Sequence, residues 1–207
     1  MKLKENKKGD MERGDHTYTH PEIIQHYGYP SEVHIVRTDD DYILELHRIP
    51  YGKHDEVTPN RPVVFLQHGV FSDSFAWVAN LANESADEVT PNRPVVFLQH
   101  GVFSDSFAWV ANLANESAAF VFADAGLDVW MANSRGTPSS QKHIGYGPDE
   151  PRFWNFTWQD MSTFGLTASI DYVLEKTKQD SLYFVGHSQG TVLLFAKLAE
   201  DPNFATK

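Results

Sequence analysis

The stretch Leu182-Tyr-Phe-Val-Gly-His-Ser-Gln-Gly-Thr-Val-Leu-Leu-Phe-Ala-Lys-Leu-Ala-Glu200 decides the fold, because it reads as a short apolar strand, a sharp turn and then a helix. Its centre, Gly186-His187-Ser188-Gln189-Gly190, is the G-x-S-x-G pattern, in which a serine sits on a strained strand-to-helix turn with its hydroxyl above the sheet. Glycines two residues to either side remove side chains that would collide where the backbone doubles back. The helix begins at the serine, so its first N–H groups and the positive end of its dipole face the place where an oxyanion would form. The same five residues alone read equally well as a Gly-rich turn with an idle serine. The strand before them and the helix after them select the nucleophile elbow.

A chain of 207 residues with 41% hydrophobic and 13% aromatic side chains holds one sizeable globular domain. Its net charge of −11, with no basic face, argues against nucleic acid as a partner. Cysteine is absent, so neither a disulfide framework nor a thiolate metal site is encoded. The ten histidines show no H-E-x-x-H spacing, and no metal or cofactor is expected. Residues 1–16 are charged but lack an apolar core segment, which reads as a disordered leader rather than a secretion signal. No run of about 18 apolar residues occurs, so no spanning helix is expected and any lipid-surface contact is peripheral.

Residues 17–207 are read as a partial α/β domain. The runs Glu32-Val-His-Ile-Val-Arg-Thr38 and Tyr42-Ile-Leu-Glu-Leu-His-Arg-Ile49 alternate around an Asp turn, the pattern of an antiparallel hairpin. Residues 55–86 and 87–118 are then identical, each reading DEVTPNRPVVFLQHGVFSDSFAWVANLANESA. Natural arrays drift in sequence and need several units, so two perfect repeats read as a recent tandem duplication or an error of assembly. Each repeat is one unit: the strand Val-Val-Phe-Leu-Gln, a His-Gly turn and a capped helix over Ser-Asp-Ser-Phe-Ala-Trp-Val-Ala-Asn-Leu. The two identical strands would compete for one position beside the strand 128–132, with the second repeat favoured because its helix leads directly into 119–126.

Downstream, a short helix ends at Gly126 and the strand Asp128-Val-Trp-Met-Ala132 follows. After a long loop rich in Gly, Pro and aromatics, a capping-box pattern at Thr157-Trp-Gln-Asp160 starts a helix to about Lys178. Strands alternating with helices give a mostly parallel sheet covered on both faces, behind an antiparallel N-terminal hairpin.

These residues together resemble the acid lipase family of α/β-hydrolases, the gastric and lysosomal group of triacylglycerol and cholesteryl ester hydrolases. The resemblance is carried by His20-Pro-Glu-Ile-Ile-Gln-His-Tyr-Gly-Tyr-Pro30, Asp41-Tyr-Ile-Leu-Glu-Leu-His-Arg-Ile-Pro50, Leu98-Gln-His-Gly-Val102, Asp128-Val-Trp-Met-Ala-Asn-Ser-Arg-Gly136 and the elbow. It implies an N-terminal part of an α/β-hydrolase fold, with Ser188 as nucleophile. The N–H groups of Gln189 and of Val102 or Val70 would form the oxyanion hole, and Gly186, His187 and Gly190 the elbow. It implies a lipid ester substrate for the full-length family, without a cofactor, and a secreted or lysosomal location that the N-terminus does not support.

In this fold the triad runs Ser, then Asp or Glu, then His along the chain. All ten histidines precede Ser188, and only Glu200 and Asp201 follow it as acids. The chain as it stands is therefore expected to be inactive. His187 is the neighbour of the nucleophile and is read as structural, like His68 and His100 in the His-Gly turns. Asn83, Asn115 and Asn155 begin N-x-Ser/Thr sequons, candidate glycosylation sites only if the chain enters a secretory pathway. The cluster Phe153-Trp-Asn-Phe-Thr-Trp158 reads as core, with an acyl-pocket lining as the alternative. The leading function is a serine lipid-ester hydrolase. A peptidase or acyltransferase on the same fold, and a non-catalytic partial hydrolase binding lipid or a partner, stand as alternatives.

Overall fold

A computed structural model describes residues 19–53, 63–67 and 96–207. The leader expected over 1–16, His68, Val70, Asn83 and the helix of the first repeat lie outside the described residues. Helix α1 (His20–His26) opens at Thr19, whose N–H and hydroxyl donate to the Glu22 carboxylate at 2.8 and 2.9 Å. This reciprocal cap satisfies donors that a helix start leaves without partners.

The expected hairpin forms from β1 (Glu32–Arg37) and β2 (Tyr42–Ile49), antiparallel in register Glu32↔Arg48 to Arg37↔Ile43. Its turn closes on Thr38, whose hydroxyl oxygen accepts the Tyr42 N–H at 3.0 Å, while Asp41 takes the left-handed φ of 68°. The other edge of β2 pairs antiparallel with β5 (Asp128–Ala132), and its start pairs with the two-residue β6 (Lys142–His143). Beyond β5 the sheet is parallel, through β3 (Val63–Gln67), β4 (Val96–Gln99) and β7 (Tyr183–Gly186). Among the described residues the order is β1-β2-β5-β3-β4-β7.

Strand β5 is buried along its whole length because both faces of the sheet are covered. On one face Trp130 and Ala132 pack with Leu44, Leu46, Phe153, Ile170, Val173 and Leu193, beneath α3 (Thr167–Thr177) and α4 (Gln189–Glu200). On the other, Val129 and Met131 pack with Ile23, Ile24, Trp109 and Phe120, beneath α1 and α2 (Ala118–Asp124). Helix α2 stops at Gly126 as expected: φ is 83° there, and the Gly126 and Leu127 N–H groups turn back to the carbonyls of Ala123 and Phe122.

Two expectations change. The helix expected from 157 to 178 contains a π turn over Met161–Leu166, between a first turn at Trp158–Asp160 and α3. The wider turn buries Ser162 and Gly165 and leaves Met161 and Phe164 partly exposed, and the Ser162 hydroxyl donates to the Leu193 carbonyl at 2.7 Å. In the second repeat the expected helix shrinks to one 3-10 turn, Ser106–Trp109, capped by Asp105 accepting the Phe107 N–H. The chain must bend there because Trp109 and Val110 are both buried, and Ser117 ties the following loop by bonding the N–H and carbonyl of Asn112.

The identical repeats meet in the sheet. Leu66 and Leu98 occupy equivalent places in the two repeats, and both register with Met131 on β5 and with Val185 on β7. Val64 and Val96 likewise both register with Tyr183. The two strands also pair with each other, parallel, at Phe65↔Phe97 and Gln67↔Gln99, and since a strand offers only two hydrogen-bonding edges, β3 and β4 compete for the same partners on β5 and β7. The second repeat does not hold the place beside β5 alone: β3 carries most of the pairing to β5, and β4 most of the pairing to β7. With identical sequences, neither strand has an intrinsic advantage.

The loop after β5 is anchored electrostatically. Arg135, almost fully buried, donates from Nη1 and Nη2 to the two Asp40 oxygens at 2.5 and 2.8 Å and lies over the Tyr42 ring.

Two outcomes follow. Removing residues 55–86 leaves one strand for one position, and is expected to raise solubility with amide protection over 182–186 unchanged by hydrogen exchange. Collapse of that protection would mean that both repeats are needed. Asp40→Ala leaves the Arg135 charge buried without its carboxylate and is expected to lower stability by about 3 kcal/mol or more in urea denaturation. A change below about 1 kcal/mol would show the pair to be dispensable.

Candidate functional site

Only His187 and Ser188 separate the end of β7 from the start of α4. The chain reverses on Ser188 itself, which has φ 52° and ψ −113° and is exposed. L-residues rarely adopt this backbone, and they do so where surrounding structure imposes it. The imposing contacts are local. The Gly190 N–H donates to the His187 carbonyl at 3.0 Å, the Thr191 N–H to the Ser188 carbonyl at 2.9 Å, and the Thr191 hydroxyl to the Gly186 carbonyl at 2.6 Å. Gly186 is a steric necessity, since a Cβ there would lie 2.7 Å from the Thr191 nitrogen and 2.9 Å from the Gly190 carbonyl carbon. The Gln189 N–H opens α4, where a helix offers no acceptor of its own.

The partner loop arrives from β4. Gln99 registers with Gly186, and the His187 N–H donates to the Gln99 carbonyl at 3.0 Å, so the turn holding Val102 begins beside the elbow. Val70, the alternative donor, lies outside the described residues. His100 is buried and holds this turn: Nδ1 faces the Gly101 carbonyl at 2.9 Å, and Nε2 accepts the Ser134 N–H at 2.8 Å. Burial pushes its pKa down to about 4, so the ring is neutral and acts as a support. Phe103, next to Val102, takes a left-handed φ of 61° and is 89% exposed.

The aromatic cluster divides. Phe153 is fully buried against Tyr42, whereas Trp154 and Trp158 stand about half exposed. A cavity between the end of β5 and α4, lined by Gln99, Asn133, Ser134, Arg135, Met161 and Leu193, has room for about one water and none for an acyl chain. Asn115 and Asn155 are both exposed. Among the described residues no group of three or more His, Cys, Asp or Glu side chains could hold a metal ion, and no helix is long and apolar enough to cross a membrane.

Sequence reasoning missed a chain of polar groups behind the loop that holds Val102: Asp105, His20, Ser106, His47 and Glu45, each within hydrogen-bonding or ion-pair distance of the next, with Ser106 and His47 buried and the others partly so. The alternation of β2 places His47 outward, and its burial beside Leu46 is seen only in the fold.

The strain at Ser188 has a measurable consequence. Ser188→Gly relieves a positive φ and is expected to stabilise the chain by about 1 kcal/mol in denaturant titration. A loss of stability would mean that the elbow stores no strain at this residue.

The residues that match known families divide at the repeats. Residues 20–81 match the profile described as a partial alpha/beta-hydrolase lipase region, and residues 94–205 match that of the alpha/beta hydrolase fold. Each profile takes up part of one repeat. Lipase lipl-5 of Caenorhabditis elegans is 43% identical over 192 residues, covering 91% of this chain and 40% of that protein. The lysosomal acid lipase/cholesteryl ester hydrolase of Homo sapiens is 40% identical over 188 residues, covering 90% of this chain and 39% of that protein. The gastric triacylglycerol lipase of Bos taurus is 40% identical over 187 residues, with the same coverage. The chain thus spans about two fifths of the length of the curated relatives it matches. With a mixed sheet, a serine on a strained strand-to-helix turn and these matches along most of its length, the chain belongs to the alpha/beta-hydrolase fold family, in its acid lipase group.

Proposed function

We propose that the chain carries the nucleophile and oxyanion elements of a serine hydrolase of lipid esters, acting on triacylglycerols or cholesteryl esters. The observation that carries this reading is the exposed Ser188 at φ 52°, ψ −113°, at the head of α4. In the reaction, Ser188 Oγ attacks the ester carbonyl, and the oxyanion accepts hydrogen bonds from the Gln189 and Val102 N–H groups. Collapse expels the alcohol and leaves an acyl-enzyme, which water then hydrolyses. The names of the relatives favour lipid esters over the peptide or acyl-transfer chemistry that the same fold can host.

The attack requires a base to take the serine proton, and the fold supplies it from a histidine after the nucleophile. All ten histidines of this chain precede Ser188, and His100 is committed to its own loop. This favours a second reading for the 207 residues on their own: a partial hydrolase that binds lipid or a partner without turnover.

The chain is expected to hydrolyse short-chain p-nitrophenyl esters no faster than its Ser188→Ala variant. Serine-dependent turnover would require a base among the upstream histidines. Joining the chain to the part of a lysosomal acid lipase that it does not match is expected to restore Ser188-dependent hydrolysis of triolein or cholesteryl oleate. A folded chimera inactive on both would reject the lipid-ester reading.

A further inference from the structure

Behind the loop that carries Val102, two histidines share one hydroxyl. His20 Nδ1 and His47 Nδ1 each lie 2.9 Å from Ser106 Oγ, and Ser106 is fully buried. Their outer nitrogens face carboxylates, His20 Nε2 at 3.3 Å from Asp105 Oδ1 and His47 Nε2 at 2.7 Å from Glu45 Oε1. His20 comes from α1, Glu45 and His47 from β2, and Asp105 and Ser106 from the far end of the oxyanion loop. His100 also faces Asp105 and His20, and Lys142 of β6 faces Glu45, completing the charged or titratable surroundings given for these groups.

The protons can be counted. Glu45, 2.7 Å from His47 Nε2, takes an N–H from that nitrogen, so the His47 ring carries its Nε2 proton. Ser106 has one hydroxyl proton, which serves only one of the two Nδ1 atoms. The other Nδ1 must carry its own proton and donate to the serine oxygen. Asn133 decides which. Its Oδ1 accepts the Ser106 N–H at 3.0 Å and its Nδ2 donates to the Glu45 carbonyl at 2.9 Å, which fixes the amide orientation. That same Nδ2, a donor, lies 3.4 Å from His47 Nδ1, so His47 Nδ1 offers a lone pair.

We infer that Ser106 joins two histidines that differ at Nδ1, protonated on His20 and bare on His47, and that this polar chain is a positioning device for the loop that holds Val102. Ser106 donates to His47 and accepts from His20. Two further features agree: burial pushes His47 down, and Asp105, though raised by burial, is brought to about 2, chiefly by its bond to His20. The chain pins the far end of the loop to α1 and β2, while the His187–Gln99 bond and His100 pin the near end. Removing the single Nδ1 proton of His20 sets two lone pairs against each other, and the anchor loses a link.

The assignment of a role in holding the oxyanion loop rests on the proposed reading of Ser188, but its test does not use turnover. Long-range nitrogen–proton NMR on the whole chain at pH 6 is expected to show a proton on His20 Nδ1. It should show His47 with a proton on Nε2 alone, although an ordinary histidine is mostly charged there. A bare His20 Nδ1, or a protonated His47 Nδ1, would overturn the inference and leave the Ser188 reading intact. Ser106→Ala is expected to change the His47 nitrogen shifts and to speed amide exchange at Val102 by about tenfold. Unchanged exchange would overturn the anchoring role. If that variant does not fold, His20→Gln reports on the same amide, with the same two outcomes.

Discussion

One backbone hydrogen bond joins the two halves of the site: the His187 N–H donates to the Gln99 carbonyl at 3.0 Å. It extends the parallel pairing of β4 and β7 by one step past the end of β7, into the turn where the chain reverses. A sheet ladder is rigid because each bond is backed by its neighbours, so the elbow inherits the precision of the sheet. Ser188 can then be held in a backbone conformation that it would not choose alone. The loop after Gln99 starts from the same bond, which is how two segments distant in sequence come to face one another.

The fold was legible where a local rule acts alone. The Asp turn of the hairpin, Gly126 past the end of a helix, the Thr157 cap and the G-x-S-x-G turn each depend on a few neighbouring residues, and each formed where the pattern placed it. Legibility failed where tertiary demand overrode the local signal. The π turn at Met161–Leu166 carries Ser162, Thr163 and Gly165, which weaken a helix without saying that it widens, and the seat of Ser162 against the Leu193 carbonyl is seen only in the fold. The helix expected in the second repeat gave way because Trp109 and Val110 must both enter the core. In the site, the elbow was legible from the motif, whereas the supports at His20, His47 and Ser106 were not. They come from three separate segments, and no spacing rule connects them.

Several polar groups in and at the edge of the core are satisfied as sets. Arg135 sits between Asp40 and the Tyr42 ring, Arg48 holds Asp128 with two bonds and Glu32 with a third, and the Ser106 chain links two histidines to two carboxylates. Each set ties a loop or the hairpin to β5 or its neighbours. Apolar packing alone would place these segments within a range of positions, while paired buried groups accept very few. The hydrophobic faces hold the sheet, and the polar sets fix what hangs from its ends.

The shared position between β5 and β7 carries a consequence for the chain as a covalent object. β3 and β4 register with the same residues of β5 and β7, so a sheet with only one of them in place would have two possible threadings, offset by one repeat. To pass from one to the other, the central strand of a parallel sheet must leave and another must enter. That step requires opening the β5 and β7 ladders together, which is close to unfolding the domain. The two threadings would therefore behave as long-lived isomers of one polypeptide, and their ratio would record which strand arrived first when the sheet closed rather than which is more stable.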